Sequence, residues 1–240
     1  VAALMALFGL YFYVYNLRQG YPYLYYTLSA ITIIFMIAVP ILTMRSFAED
    51  RKNKTDQLML TAPVPVAKVV LGKYLAMLAV FTVDIAVFCV TPLILRAFGT
   101  IPMGESYIAI LAFWLYGAAS IAVGMFISAL TESQVIAAVL TFVVLFISYM
   151  MQSLTGLISS DGNWLTKILN GLDLYAPFEK FQGGCLDITA ILYYVTVIVL
   201  FNFFTVQAIQ GMKHSAHHVN DLRARSEERR VGKECRSRWS

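Results

Sequence analysis

Apolar residues gather into six runs separated by short polar connectors: Val1–Tyr15, Leu24–Thr43, Tyr74–Leu95, Tyr107–Leu130, Val135–Met151 and Ile188–Ile209. A helix needs about 20 apolar residues to cross the hydrocarbon of a bilayer, and the last five runs are near or above that length. None shows the strict alternation of a barrel strand, and lipid offers no partner to an open backbone, so helices are predicted for all of them. Val1–Tyr15 is shorter. It lacks the basic leading segment and the small-residue cleavage site of a signal peptide, and is read as a span truncated at its start. The predicted fold is an all-α integral membrane bundle of six spans, the first truncated, with no internal repeat.

Composition sharpens this picture. The chain is 59% hydrophobic and 13% charged, against about 25% charged in a soluble domain. Only the membrane class accommodates that much apolar surface. The basic residues then give an orientation. One alternate set of connectors holds eight: Arg45, Arg51, Lys52, Lys54, Lys68, Lys73, Lys213 and Arg223. The other holds four: Arg18, Arg96, Lys167 and Lys180. The richer set is expected on the cytoplasmic side, with both termini. Residues 1–224 are expected to form one membrane domain.

The segment Arg225–Trp239, RSEERRVGKECRSRW, resembles the conceptual translation of a short-read sequencing adapter, and residues 225–240 are expected to be a non-native tail without packing against the spans. That stretch carries six Lys or Arg and three Glu. Without it the chain is nearly neutral, so basicity gives no support to nucleic-acid binding. Cys89, Cys185 and Cys235 have no spacing of a disulfide framework or a metal site.

The connectors differ in character. Thr131-Glu132-Ser133-Gln134 is a tight turn in which Thr131 and Gln134 have capping-box spacing. Gln152–Gly184 is the longest outer connector. Its aromatic residues Trp164, Tyr175, Phe178 and Phe181 predict short helices lying at the membrane surface. Ser120, Gly124 and Ser128 recur every fourth residue in the fourth span, a stripe of small residues that lets helices pack closely.

The most informative stretch is the charged island MRSFAEDRKNKTDQLMLTAPVPVAKVVLGK between the second and third spans. Thr55 is placed to cap a short helix through Leu60, with Asp56 in its first turn. Pro63 and Pro65 end that helix. Pro65 suits the first position of the next one, which runs through Val69, Val70 and Leu71 into the third span. The product is an amphipathic hook parallel to the membrane; an ordinary juxtamembrane loop is the alternative.

Few residues point to chemistry. Asp84 lies mid-span, where an acid costs roughly 2.5–3.5 kcal/mol on insertion scales. It reads either as an ion or substrate contact or as a hydrogen-bonded packing residue, with Asn202 in the last span a candidate polar contact. His214, His217 and His218 cluster outside the spans and read as a solvated segment. Gly72-Lys73 lacks the preceding Gly and following Ser or Thr of a phosphate-binding loop. With no nucleotide-binding motif, the chain is not expected to be an enzyme or to hold a cofactor, and any use of ATP must come through a partner.

The stretch PILTMRSFAEDRKNKTDQLMLTAPVPVAKVVLGKYLA resembles the first cytoplasmic loop of type-2 ABC transporter permease subunits, in the branch of gliding-motility and related export permeases. Pro40, Arg45, Glu49, Thr55, Leu58, Pro63, Gly72 and Lys73 carry the likeness. SALTESQVIAAVL and YAPFEKFQGGCLDITAILYY add to it, the latter resembling an outer re-entrant segment and final span. Asp50 and Asp56 stand where Glu is common, Val64-Pro65 replaces Val-Ser, and Ala176 replaces a frequent Ser.

The resemblance implies six spans and a bacterial plasma-membrane location. It also implies pairing with a second permease copy or paralogue and with separate ABC ATPase subunits, in contact with membrane lipid. The hook is then a coupling helix, with Arg45, Glu49, Asp50, Thr55, Asp56, Leu58 and Pro63 as its contact residues. Arg45 and Lys73 are expected at the bilayer edge. Two other readings remain: a membrane scaffold that recruits a soluble partner through the island, and an ion-coupled carrier using Asp84.

Overall fold

A computed structural model describes residues 2–48, 50, 65–98, 102–158, 173–181 and 187–211. Every regular element among them is a helix. They are α1 (Ala2–Phe12), which widens into a π-helical turn over Tyr13–Arg18, then α2 (Leu24–Thr43), α3 (Val66–Phe88), α4 (Thr91–Phe98), α5 (Met103–Leu130), α6 (Gln134–Ile158), α7 (Ala176–Lys180) and α8 (Ile188–Gly211). Five stretches are long and apolar enough to cross a membrane: Leu24–Thr43, Val66–Ala97, Met103–Leu130, Gln134–Met151 and Ile188–Gly211. They coincide with the five long apolar runs of the sequence. The first run yields the 11 residues of α1, short of a span by itself but packed along α2.

The α1–α2 connection is closed by polar groups. Asn16 donates to the carbonyl of Tyr21 at 2.9 Å and accepts from the Thr27 hydroxyl at 2.5 Å. Gly20 stands between them at φ 73°, a left-handed conformation that only glycine adopts freely.

The third span is interrupted. Pro92 has no N–H to offer the carbonyl four residues back, so the α3 ladder ends at Phe88. The Thr91 hydroxyl takes over the Phe88 carbonyl at 2.7 Å, and α4 restarts beyond the turn at Cys89-Val90. At the other end Pro65 is extended, with ψ 132°, and stands one residue before the helix rather than at its first position. The helix otherwise runs into the span as expected.

At the centre lies α5. Of its apolar window 83% is buried, against 22% for α8 and 28% for α6. Its sequence explains this position. Gly117, Ala118, Ala119, Ser120, Ala122 and Gly124 leave a thin helix that neighbours can approach closely. A Cβ at Gly117 would stand 2.2 Å from the ring of Phe81 and 3.0 Å from Phe35. One at Gly124 would stand 2.5 Å from the Thr43 hydroxyl and 3.0 Å from Thr141. The aromatic cluster of Phe35, Phe81, Phe113 and Tyr116 fills the space on one side.

Between α5 and α6 the predicted capping box does not form. The Thr131 hydroxyl donates back to the Ile127 carbonyl and closes α5, while the Ser133 carbonyl accepts the first bond of α6 from Ala137. A Thr hydroxyl reaches its own preceding turn more readily than a turn not yet formed.

The connector between α6 and α8 contains the short helix α7, but its aromatic residues face inward. Phe178 and Phe181 are fully buried, and Phe178 packs on Tyr25, Phe113 and Tyr116. A helix lying on the membrane surface would expose these rings; here they plug one end of the bundle. The plug is pinned by hydrogen bonds. Asp173 accepts from the amides of Tyr175 and Ala176 at 2.8 and 3.0 Å. The Leu174 amide donates to Ser148 at 2.9 Å, and its carbonyl accepts from the Tyr194 hydroxyl at 2.8 Å. Trp164 and residues 225–240 lie outside the described residues.

Two outcomes follow from this packing. Gly117→Ala inserts a methyl group where Phe81 has no room, and is expected to lower the thermal stability of the purified protein by an amount equivalent to about 1–3 kcal/mol. Gly72→Ala, where a Cβ meets nothing within 4 Å and a glycine inside α3 is replaced by a better helix former, is expected to leave the melting temperature no lower than that of the wild type.

Burial pushes the Asp173 carboxyl above its usual value, although two amide donors pull it down. A folded value above the unfolded one means stability that is full at acidic pH and is lost as pH rises through the folded value. Melting temperatures measured against pH are expected to show this decline. Asp173→Asn, which keeps the acceptor oxygen, flattens it.

Candidate functional site

The polar island begins where α2 ends, and its first residues are fixed firmly. Met44 closes α2 by donating its amide to the Pro40 carbonyl at 2.8 Å. The chain then turns through Arg45 and Ser46, and Ala48 and Asp50 are again helical. Phe47 and Ala48 are buried. Amides buried in this way need partners, and a single side chain supplies them. The Ser128 hydroxyl, on the last turns of α5, accepts from the amides of Phe47 and Ala48, both at 3.2 Å, and donates to the Met44 carbonyl at 3.3 Å.

Lys73 on α3 closes the same turn from the other side. Its ammonium donates to the Ser46 carbonyl and to the Asp50 carboxylate. It also lies 4.4 Å from the centre of the Phe47 ring, within the range of a cation–π contact. Lys73 and Asp50 are both partly buried. Met44, Arg45, Ser46, Phe47, Ala48 and Asp50 therefore form a root, seated between the ends of α2, α3 and α5.

The residues singled out in the sequence fall into three groups. Arg45 is exposed at the root, while Asp50 is turned inward onto Lys73. Glu49, Thr55, Asp56, Leu58 and Pro63 lie outside the described residues, as do His214, His217 and His218. Asp84 and Asn202 are buried but not joined. Asn202 donates its amide to the Ile198 carbonyl at 2.8 Å, one turn back on its own helix. The Oδ1 atoms of Asp84 and Asn202 both lack a hydrogen-bond partner.

Sequence reasoning missed two residues. Ser128 reads as one member of a packing stripe, and the stripe is real, since Ser120, Gly124 and Ser128 are buried. Its hydroxyl, however, works across helices while that of Ser120 stays on its own helix, donating to Tyr116. Lys73, expected at the bilayer edge, has its ammonium turned onto Ser46 and Asp50 of the root, contacts that its sequence position does not show.

Among the described residues no group of three or more His, Cys, Asp or Glu is placed to hold a metal. A cleft of about 180 Å³ lies between α5, α6 and α8, lined by Val123, Leu145, Ser148, Tyr193, Val197 and Phe201 among others. It is almost wholly apolar, so it offers contact area rather than acid–base chemistry. The described part of the site is mechanical in character: a hydrogen-bonded junction between a polar segment and three membrane helices.

Asp84 sits on the buried face of α3 with Phe81, Ile85 and Phe88. Asn at this position keeps the shape and removes a charge that is costly in such surroundings. Asp84→Asn is expected to assemble normally, to melt no lower than the wild type and to retain transport. Loss of transport by a normally assembled variant would instead favour an ion-coupled carrier.

Residues 5–206 match the sequence profile of one protein family, described as ABC-2 family transporter protein. The match covers four of the five spans and most of the last. No curated protein and no solved structure matches the chain.

Proposed function

We propose a function from one premise: the chain belongs to the ABC-2 family of transporter proteins and is a membrane-spanning permease component of an ABC transporter. In this reading it couples ATP hydrolysis by a separate ABC ATPase subunit to movement of a substrate across the bacterial plasma membrane, in the direction of export. The chain itself is not catalytic. The island faces the cytoplasm, as its basic residues suggest, and both termini lie on that side. A second copy or a paralogue of the permease completes the pathway.

The observation that carries the reading is the junction at the root. A loop that only linked two spans would need no such fixing. A segment that receives force from a soluble partner does, because displacement must reach the helices before it is lost in a flexible hinge. Hydrogen bonds from Ser128 and Lys73 tie the root to α5 and α3, while the chain itself continues from α2. The rest of the island, with Glu49, Thr55, Asp56, Leu58 and Pro63, is the contact surface for the ATPase. Leu58 supplies apolar contact; Glu49 and Asp56 supply acceptors for basic residues. Arg45, exposed at the root, borders that surface.

The exposed apolar faces of α6 and α8, among them Val135, Val139, Phe203 and Phe204, suit lipid or the second permease. A carrier would use Asp84, whose Oδ1 has no hydrogen-bond partner among the described residues. A scaffold would use the island to recruit a partner without ATP turnover.

Glu49→Lys and Leu58→Asp test the contact surface. Partly desolvated charged contacts at an interface cost about 2–5 kcal/mol when one partner is removed. Each variant is expected to insert into the membrane normally while losing the co-purifying ATPase or the substrate-stimulated ATP hydrolysis. Survival of both properties in both variants would remove the island from the coupling pathway.

A further inference from the structure

We infer that Lys73 and Ser128 are positioning residues that make the root of the island one rigid joint with α3 and α5. This rests on the reading of the island as the ATPase contact and adds the route by which its displacement enters the membrane. A hook linked only by its own chain would pull on the end of α2 and the beginning of α3. Ser128 adds α5, which contributes no residue to the island yet is the most buried span.

The local backbone is accounted for almost group by group. The Met44 amide is bound by Pro40 and the Ser46 amide by Thr43. The Met44 carbonyl and the amides of Phe47 and Ala48 are bound by Ser128, and the Ser46 carbonyl by Lys73. Both partners reach the root from distant sequence: Ser128 lies 81 residues from Phe47 and Lys73 lies 27 from Ser46. Neither contact is a local turn that would form in an isolated loop. Lys73 also neutralises Asp50, the last described residue before the outer part of the island. Displacement there pulls on α3 through an ion pair as well as through the chain.

The joint also has a close-packed support. Gly124, one turn before Ser128, admits Thr43 of α2 so closely that a Cβ has no room. The Thr43 hydroxyl is occupied by the Val39 carbonyl at 3.0 Å. The end of α2 is thus held against α5 by packing, and the turn that follows is held by Ser128.

Two measurements on the full chain in lipid nanodiscs test the inference. In hydrogen exchange, Ser128→Ala and Lys73→Met are expected to speed exchange of the Phe47 and Ala48 amides by about tenfold, while Lys73→Arg leaves it unchanged. In the complex isolated with the ATPase that co-purifies with the wild-type chain, Lys73→Met keeps the bound ATPase but loses stimulated hydrolysis. Asp50→Lys and Lys73→Glu each lose stimulation, and the double swap Asp50→Lys with Lys73→Glu restores it. A merely structural role would not produce that rescue.

Unchanged exchange in Ser128→Ala and Lys73→Met overturns the joint. So does a Lys73→Met complex that no longer holds the ATPase, which would make Lys73 part of the contact surface, or a double swap without rescue. If the wild-type chain brings down no ATPase, the permease reading fails instead. The exchange measurement then still decides whether Lys73 and Ser128 fix the root.

Discussion

A helix at the centre of a bundle must give up side-chain volume so that its neighbours can reach one another around it. In α5 this falls on Gly117 and Gly124, each occupying a place where one further carbon would collide with an adjacent helix. The rings of Phe35 and Phe81 use the space that Gly117 leaves, and the end of α2 uses the space at Gly124. Lipid tails are as apolar as leucine, so burial alone does not drive helices together in a bilayer; close contact of complementary surfaces does. The distances at these two glycines set how near α2, α3 and α6 come to the axis, and hence where the root and the aromatic plug can sit.

Polar groups are divided between two duties. Along the middle of the spans, Thr32, Ser120, Thr141 and Thr205 each donate to a carbonyl one turn earlier on the same helix. These bonds satisfy the hydroxyls without joining helices. Other bonds cross between segments: Thr27 with Asn16, Ser148 and Tyr194 with Leu174, Ser128 with the root, and, between α3 and α5, Tyr74 with the Ala118 carbonyl and Trp114 with Thr82. The α3–α5 contact is therefore both packed and hydrogen-bonded along its length, whereas the interior around Phe35, Phe113 and Phe178 is held by aromatic contact.

The spans were legible because hydropathy reports the requirement that lipid imposes on a backbone. Leu24–Thr43 matches to the residue. Even the helical lead into the third span was readable, since Pro63 and Pro65 mark a break and the residues after Pro65 favour helix. Hydropathy carries no information about rotation of a helix around its axis, and the misreadings share that cause. Phe178 and Phe181 could face lipid or core equally well by composition, and they face the core. The direction of the Lys73 ammonium is likewise open in the sequence, and it meets Asp50 and Ser46. Whether Asp84 and Asn202 share a hydrogen bond, which they do not, also depends on azimuths that no pattern on a single helix records. At the turn after α5, two hydroxyls compete for neighbouring caps, and the one already on the formed helix closes it. Of the site, the existence of the island was plain in the sequence, while the two side chains that fix its root come from distant helices and left no local trace.

The interrupted third span has a geometric consequence. Its 32 residues measure about 48 Å at the rise of an α-helix, against a hydrocarbon thickness of about 30 Å. The second span, Leu24–Thr43, has 20 residues and measures about 30 Å. One chain therefore presents the bilayer with crossing segments of very unequal length. The long one must lean, or extend beyond the hydrocarbon, while the short one matches the slab nearly upright. Membrane thickness then becomes a mechanical variable of the molecule: a thicker bilayer draws the third span upright and a thinner one lays it over. Lys73 rides near the end of that span, so lipid chain length bears on the attitude of the island before any partner touches it.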